Sequence, residues 1–239
     1  MSHSHPVEYA ADGTMIHHHA HHFESADAEF EAAKQGMWLF LVTEVLMFGG
    51  LFVAYAIFRG MYPEMFHAAH HFLVVKMGLI NTIVLISSSL TMAFAVGATQ
   101  RGQRDRAILM LVITFILASC FLVVKFFEYQ HKFHDGLFPP GLQHWLESMF
   151  GAVQPPEHAK ELFKEHPKSP LFFSIYFVMT ALHGVHVLIG MGLIAWITKR
   201  TAKKEFSPEY YTPVELVGFY WHFVDLVWIY LFPLLYLVG

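Results

Sequence analysis

Cysteine is nearly absent from this 239-residue chain, which contains Cys120 and no other. A single cysteine excludes an intrachain disulfide, a thiolate-ligated zinc or iron–sulfur site, and the Cys-x-x-Cys-His attachment of c-type haem. Charged residues are also scarce, at 14%, and the formal net charge of −4 leaves no basic excess for neutralising phosphates. Nucleic-acid binding therefore has no electrostatic basis.

Apolar residues are abundant instead, at 55%, and the mean hydropathy of +0.44 is typical of a membrane protein. A helix needs roughly 20 apolar residues to cross a hydrocarbon core of about 30 Å. Five windows are long enough, at residues 36–58, 77–98, 107–127, 171–198 and 214–238. Because no alternating ten-residue strand pattern competes with them, we expect an all-α, polytopic helical bundle with five transmembrane helices.

The predicted organisation consists of a tail, a membrane domain and one insertion. Residues 1–35 form a polar, histidine-rich tail without a cleavable signal peptide, and residues 36–239 form the membrane domain. An extramembrane insertion at 128–170 is rich in proline and separates the third and fourth spans. Within it, residues 156–166 predict a short amphipathic helix after a proline start.

Basic residues predict the orientation of the chain in the membrane. They are concentrated in the loops between spans two and three and between spans four and five: Arg101, Arg104, Arg106, Lys199, Arg200, Lys203 and Lys204. The loop between spans one and two carries only Arg59 and Lys76. The positive-inside rule therefore predicts a cytoplasmic N-terminus and, after five crossings, a C-terminus outside.

Ionisable residues at membrane depth are costly and usually functional. Five are singled out here: Glu44, His183, His186, His222 and Asp225. At 1.5 Å per residue, four of them lie roughly 12–18 Å along their spans from the predicted cytoplasmic end, which predicts one buried polar layer: Glu44, His186, His222 and Asp225. His183 and His186 are three residues apart, and so are His222 and Asp225. This spacing places the two side chains of each pair on one helix face. Two interpretations stay open, a hydrogen-bond network that holds helices together and a role in proton or lipid support.

Small residues next to this layer predict close approach of helices in the membrane. They are Gly49, Gly50, Gly184, Gly190 and Gly192.

Eighteen histidines raise the question of metal binding. A bis-histidine haem is disfavoured because His183 and His186 share a helix face and cannot bind opposite sides of one iron. A copper or zinc site in the polar layer is poorly supported, since the same residues suit a plain hydrogen-bond network. The di-iron pattern His-x-x-His-His occurs at 18–22 and 67–71, but the predicted topology separates these boxes across the bilayer. Weak surface capture of metal by residues 17–22 is a further interpretation.

Several stretches carry a family resemblance. The last span contains WHFVDLVW at 221–228, within a matching run at 215–230. TEVLMF at 43–48, Asn81-Thr82 with the serines at 87–89, and HGVHVLIG at 183–190 follow the same order, and Glu128-Tyr129 follows the third span. Over residues 35–239 these motifs resemble the cytochrome c oxidase subunit 3 family of haem–copper oxidases, in its five-helix bacterial form.

The resemblance implies a subunit that has no catalytic, cofactor-binding or metal-binding residues of its own. Haem and copper are expected in partner chains, with oxidase subunits 1 and 2 as the partners. The resemblance also implies bound phospholipid, support for proton uptake into subunit 1, and a place in the bacterial inner membrane. A larger respiratory supercomplex is compatible with it. Glu44 matches a carbodiimide-reactive position of the family, and Glu128 matches a motif residue at a span end.

Two alternatives remain at the sequence level. Quinol oxidases and a nitric oxide reductase accessory protein share this fold, so the motifs do not fix the electron donor. A stand-alone proton-coupled transporter would use the same polar layer. Such a transporter should show inverted repeats or helices broken at mid-membrane, and only Pro233, near the end of the last span, interrupts a span.

Overall fold

The computed structural model of the chain describes residues 23–153 and 155–238. Over these residues it contains eight α-helices and one π-helical turn, and no strand. The helices are α1 Ala26–Met61, α2 Pro63–His70, α3 Val75–Gln100, α4 Arg104–His134, α5 Pro140–Phe150, α6 Glu157–Glu165, α7 Ser169–Ala202 and α8 Thr212–Phe232, and the π-helical turn is Pro233–Leu237. The predicted all-α fold is confirmed.

Five helices are long and apolar enough to cross a membrane, namely α1, α3, α4, α7 and α8 with its π-helical turn. Each of them overlaps one of the five predicted spans. Helices α1, α4 and α7 contain 36, 31 and 34 residues, so they run about 46–54 Å. Because the hydrocarbon core is only about 30 Å thick, these three helices are long enough to project beyond it.

The first helix begins ten residues before the predicted span, at Ala26. Ser25 Oγ accepts a hydrogen bond from the Ala28 backbone N–H at 3.1 Å, which is a typical N-cap contact. Asp27 and Glu29 in the first turn complement the positive end of the helix dipole. Part of the predicted tail is therefore helical.

The predicted insertion also contains regular structure. Helix α4 continues to His134, and α5 and α6 follow within the insertion. Helix α6 begins after Pro156 and buries Ala159 and Leu162 on one face, which confirms the predicted amphipathic helix. On the opposite face Lys160 pairs with the exposed Glu157 at 2.8 Å.

The chain divides into two compact units. Unit 1 takes its described residues from the part of the chain before residue 46, from Ile86–Ala118 and from Val187–Val224. It contains both basic loops. Unit 2 consists of Leu46–Leu85, Ser119–His186 and the part from Asp225 onward, and it contains α2, α5 and α6.

A basic side chain caps the C-terminal end of a helix in unit 1. The Arg104 guanidinium donates hydrogen bonds to the backbone carbonyls of Thr201, at 3.1 Å, and of Ala202. Both carbonyls belong to the last turn of α7. The last carbonyl groups of a helix receive no hydrogen bond from a backbone N–H of the same helix. The arginine therefore satisfies the C-terminal end of α7 and complements its negative dipole end.

The glycine prediction is confirmed at one position out of five. A Cβ at Gly190 would lie 2.8 Å from the Trp221 ring, so α7 and α8 approach closely there. The other four predicted glycines have no neighbour within 4 Å of such a Cβ among the described residues, and the prediction is wrong for them within this chain: Gly49, Gly50, Gly184 and Gly192. Gly78 and Gly218, which the sequence did not single out, are also packed closely.

Candidate functional site

Unit 1 holds two of the five predicted polar residues. His222 of α8 lies with Nδ1 2.7 Å from Ser89 Oγ of α3, so this pair joins the two helices. One residue earlier, Trp221 Nε1 donates to Ser88 Oγ at 3.2 Å. Two of the three serines at 87–89 are therefore hydrogen-bond partners of the last span. Glu44 lies half-buried on α1 and interacts electrostatically with Tyr220.

Unit 2 holds the other three. His183 is fully buried between the rings of Phe121 and Trp228, at centroid distances of 5.6 and 5.2 Å. Neither ring nitrogen of His183 has a hydrogen-bond partner among the described residues. His186 bonds the Leu182 carbonyl of its own helix through Nδ1 at 2.8 Å, and Asp225 is buried.

The three histidines each have a contact inside their own unit. His222 contacts a serine, His183 contacts aromatic rings, and His186 bonds its own helix backbone. A single functional layer made of all five residues stays a prediction, as does its role in proton or lipid support.

A buried charged cluster in unit 2 centres on Glu128, the predicted span-end residue. Lys125 Nζ lies 3.0 Å from Glu128 Oε2, and Lys132 Nζ lies 3.7 Å from Glu128 Oε1. The hydroxyl groups of Tyr176 and Tyr236 donate to Oε1 at 2.8 and 2.5 Å. We call these five residues the Glu128 cluster, and all of them are buried.

The Glu128 cluster compensates two lysine cations with one carboxylate and several aromatic rings. Lys125 Nζ lies 5.1–5.8 Å from the ring centroids of Trp228, Tyr129, Tyr176 and Tyr236. Aromatic faces at such distances attract a cation, most strongly when it is desolvated. Lys132 Nζ donates in addition to the Phe72 carbonyl at 3.4 Å. The cluster joins α4, α7, the π-helical turn and the segment before α3.

Sequence reasoning singled out Glu128 but missed the two lysines and two tyrosines. Lys125 lies inside the third predicted span, and the spacing Lys125, Glu128, Lys132 puts all three charges on one helix face. That spacing was the available signal. The tyrosines carry no comparable local signal, because they follow 51 and 111 residues after Lys125.

Three histidines at the end of α2 form the group that can hold a metal ion within the described part of the chain. The ligand atoms of His67, His70 and His71 lie within 4.8 Å of one another. Burial lowers the pKa of His70 below its ordinary value, the hydrogen bond to the His67 carbonyl opposes this, and nearby positive groups including Arg59 reinforce it. The other His-x-x-His-His box, at 18–22, and the tract at 17–22 lie outside the described residues.

Comparison with known proteins identifies the family. The family described as "Cytochrome c oxidase subunit III" matches residues 10–138 and 140–239. The chain is 32% identical over 209 residues to "Cytochrome c oxidase subunit 3" of Corynebacterium diphtheriae, which covers 85% of this chain and 86% of that protein.

Other relatives are named as subunits of oxidases that use quinol or ubiquinol. "Quinol oxidase subunit 3" of Bacillus subtilis is 28% identical over 210 residues, covering 85% of this chain and 86% of that protein. "Cytochrome bo(3) ubiquinol oxidase subunit 3" of Pseudomonas putida is 26% identical over 204 residues, covering 85% and 84%. Since the family match extends over nearly the whole sequence and includes both kinds of oxidase, the chain belongs to the cytochrome c oxidase subunit III family of haem–copper oxidases.

Proposed function

We propose that this chain is the non-redox subunit 3 of a bacterial aerobic terminal oxidase of the cytochrome c oxidase type. In this role it lies in the inner membrane against subunits 1 and 2, stabilises subunit 1, holds phospholipid and supports proton uptake. The relative from Corynebacterium diphtheriae, at 32% identity, supports the cytochrome c form. The same role in a quinol oxidase is the second candidate, supported by the relatives named for quinol.

The observation that carries the supporting role is the exposed surface of α1. Its most apolar window has a mean hydropathy of 2.0, yet only 11% of that window is buried within the chain, against 28–61% for the other four spans. Leu39, Leu46 and Val53 are 71%, 70% and 59% exposed. Helices in membranes associate by packing against other helices and lipid, so α1, the least buried span, offers an apolar surface for subunit 1 or for bound lipid.

Glu44 lies at the edge of that surface. Along α1 the burial pattern places half-buried Glu44 on the same stripe as the buried Phe48 and Tyr55, with exposed Val45 and Leu46 beside it. A carboxyl group at membrane depth is costly and is usually retained for a function. Its position between the chain's own packing and the exposed face supports a part in proton delivery to a neighbouring subunit.

Depletion of this chain from the native complex tests the proposal. Oxygen consumption is followed against time for complexes with and without the chain, at matched haem content and with lipid restored. We expect the initial rate to survive at least in part, because the electron path lies in other chains, and activity to decay faster with turnover, most at alkaline pH. Inactivity from the first turnover would mean that this chain carries chemistry, and equal durability would refute the supporting role.

Reconstitution of the depleted complex separates the role of Glu44 from that of the whole chain. The chain carrying Glu44→Gln should restore durability at neutral pH but less at alkaline pH than the parent chain does. Glu29→Gln, on the same helix but in its first turn, is the matched control and should behave as the parent. The optical spectrum and partner list of the same preparation distinguish the cytochrome c and quinol forms.

The transporter alternative lacks the helix breaks that it predicted. Each of the five candidate spans is continuous helix, and the π-helical turn that begins at Pro233 lies at the end of the last one. Broken helices with Gly or Pro at mid-membrane are the usual form of transporter binding sites.

A further inference from the structure

Three imidazole rings converge at the C-terminal end of α2, on the connection between α1 and α3. His67 and His70 are one helical turn apart, and His71 follows the last residue of the helix. The ring centroids lie 5.3 Å apart for His67 and His70, 5.1 Å for His67 and His71, and 4.1 Å for His70 and His71. The potential ligand nitrogens lie within 4.8 Å of one another.

One ring is already oriented as a metal ligand. His70 Nδ1 lies 2.7 Å from the His67 carbonyl oxygen. A carbonyl oxygen only accepts, so Nδ1 carries the proton and the lone pair of Nε2 is left for a ligand bond. A hydrogen bond from the second ring nitrogen to a carbonyl is the usual support for a metal-binding histidine, because it fixes the tautomer and the ring orientation.

The backbone beneath the histidines is fixed by packing on the other face of α2. Phe66 and Ala69 are fully buried, and the Phe66 ring meets Tyr55 and Phe172 edge-on at 5.3 and 5.2 Å. His67 and His71 are exposed, so the fold does not need their side chains for packing. The C-terminal end of a helix also carries partial negative charge, which favours a cation.

We propose that His67, His70 and His71 bind one divalent transition-metal ion of the imidazole-preferring class, with Zn²⁺ as the occupant. Nitrogens bound to Zn²⁺ tetrahedrally at about 2.0–2.1 Å lie roughly 3.4 Å apart. Rotation of the exposed histidine rings that brings the nitrogens about 1–1.5 Å closer together would therefore complete the site. Three protein ligands leave a fourth position open for water or for a donor from a neighbouring subunit. The ion ties the last turn of α2 to the residue that follows it and stiffens this connection.

Binding of Zn²⁺ alone to the full chain in lipid nanodiscs tests the site. The background variant carries Asn in place of all seven tail histidines, so that the tail does not compete: His3, His5, His17, His18, His19, His21 and His22. Competition against a chromophoric chelator should then give one tight equivalent of Zn²⁺. Asn at all three of His67, His70 and His71 should abolish this equivalent, whereas Asn at the exposed His131, His134 and His144 should leave it unchanged.

Single variants keep the test decisive if the triple variant folds poorly. His67→Asn and His71→Asn alter exposed side chains, and each should weaken Zn²⁺ binding at least as much as the roughly 10–100-fold lost with an outer-shell partner. Cu²⁺, which binds such ligands more tightly, reports the nitrogens directly by electron paramagnetic resonance: three in the background variant and two in each single variant. Equal Zn²⁺ affinity in the background and triple variants, or no tight equivalent in the background, would overturn the proposal.

Discussion

At the scale of single residues, the chain offers two glutamate–lysine pairs of the same spacing in opposite surroundings. Glu128 and Lys125 are buried, at 1% and 8% side-chain exposure, whereas Glu157 and Lys160 of α6 are 90% and 52% exposed. Breaking a buried pair leaves an uncompensated charge out of water, while exposed pairs contribute little. Substitutions in the two pairs can therefore be compared to measure how much burial adds to the contribution of an ion pair to stability.

Glu128→Gln should destabilise the chain by about 3–5 kcal/mol, because two buried lysines lose their carboxylate. The expected readout is a clear fall in the thermal unfolding midpoint of the chain in nanodiscs. Glu157→Gln should leave the midpoint unchanged. Replacing Glu128, Lys125 and Lys132 together by Leu, Met and Met should recover much of the loss, since an apolar triad leaves no buried charge behind. Similar midpoints for Glu128→Gln and Glu157→Gln would show that the Glu128 cluster is not a structural anchor.

Local sequence pattern identifies residues well only where the reason for their position is local. Glu44 and the histidines of the last two spans stand out because each interrupts an apolar run. The burial of Lys125 depends on Tyr176 and Tyr236, which approach it only in the folded chain. The contact of His222 with Ser89 likewise joins residues 133 positions apart. No periodicity within one helix specifies such pairs.

At the scale of helices, two glycines of α7 allow a similar comparison, because one is closely packed and the other is not. A Cβ at Gly190 would meet the Trp221 ring at 2.8 Å, and Trp221 is buried to 1% exposure, so the ring has no open space to move into. Gly190→Ala should therefore cost about 1–3 kcal/mol through overpacking. Gly192→Ala, two residues along the same helix and without a neighbour within 4 Å among the described residues, should be neutral or slightly stabilising. Unfolding midpoints of the two variants measure the difference, and equal midpoints would mean that α7 and α8 are not in close contact.

The five spanning helices were predictable from apolar length, but α2, α5 and the ends of the spanning helices were not. The predicted spans stop where charge begins, whereas α1 starts at Ala26 because Ser25 caps it, and α4 runs to His134 because Glu128 and Lys132 neutralise each other inside the fold. Backbone hydrogen bonding continues a helix past the membrane boundary wherever side chains satisfy its charges. The hydropathy of the sequence therefore predicts which part of a helix is embedded in the membrane, but not where the helix begins and ends.

At the scale of the whole molecule, orientation in the membrane rests on the distribution of basic residues. Among the short loops between spans, those of unit 1 carry most of the basic residues, and Arg104 is fixed there by its bonds to the end of α7. Lysine and arginine in short loops hold those loops on the cytoplasmic side. This rule predicts that the connections containing α2, α5 and α6 lie outside, together with the three histidines at the end of α2.

Cysteine labelling in spheroplasts tests this orientation, because the chain has one native cysteine to remove. In a Cys120→Ser background, single cysteines replace the exposed Glu64, Ser148, Asp105 and Glu209. A membrane-impermeant maleimide should label positions 64 and 148 in intact spheroplasts, and positions 105 and 209 only after the membrane is permeabilised. Labelling of positions 105 and 209 in intact spheroplasts would reverse the orientation. It would also move the three-histidine site to the cytoplasmic side, where the ion would come from the cell's own metal pool and not from the surroundings.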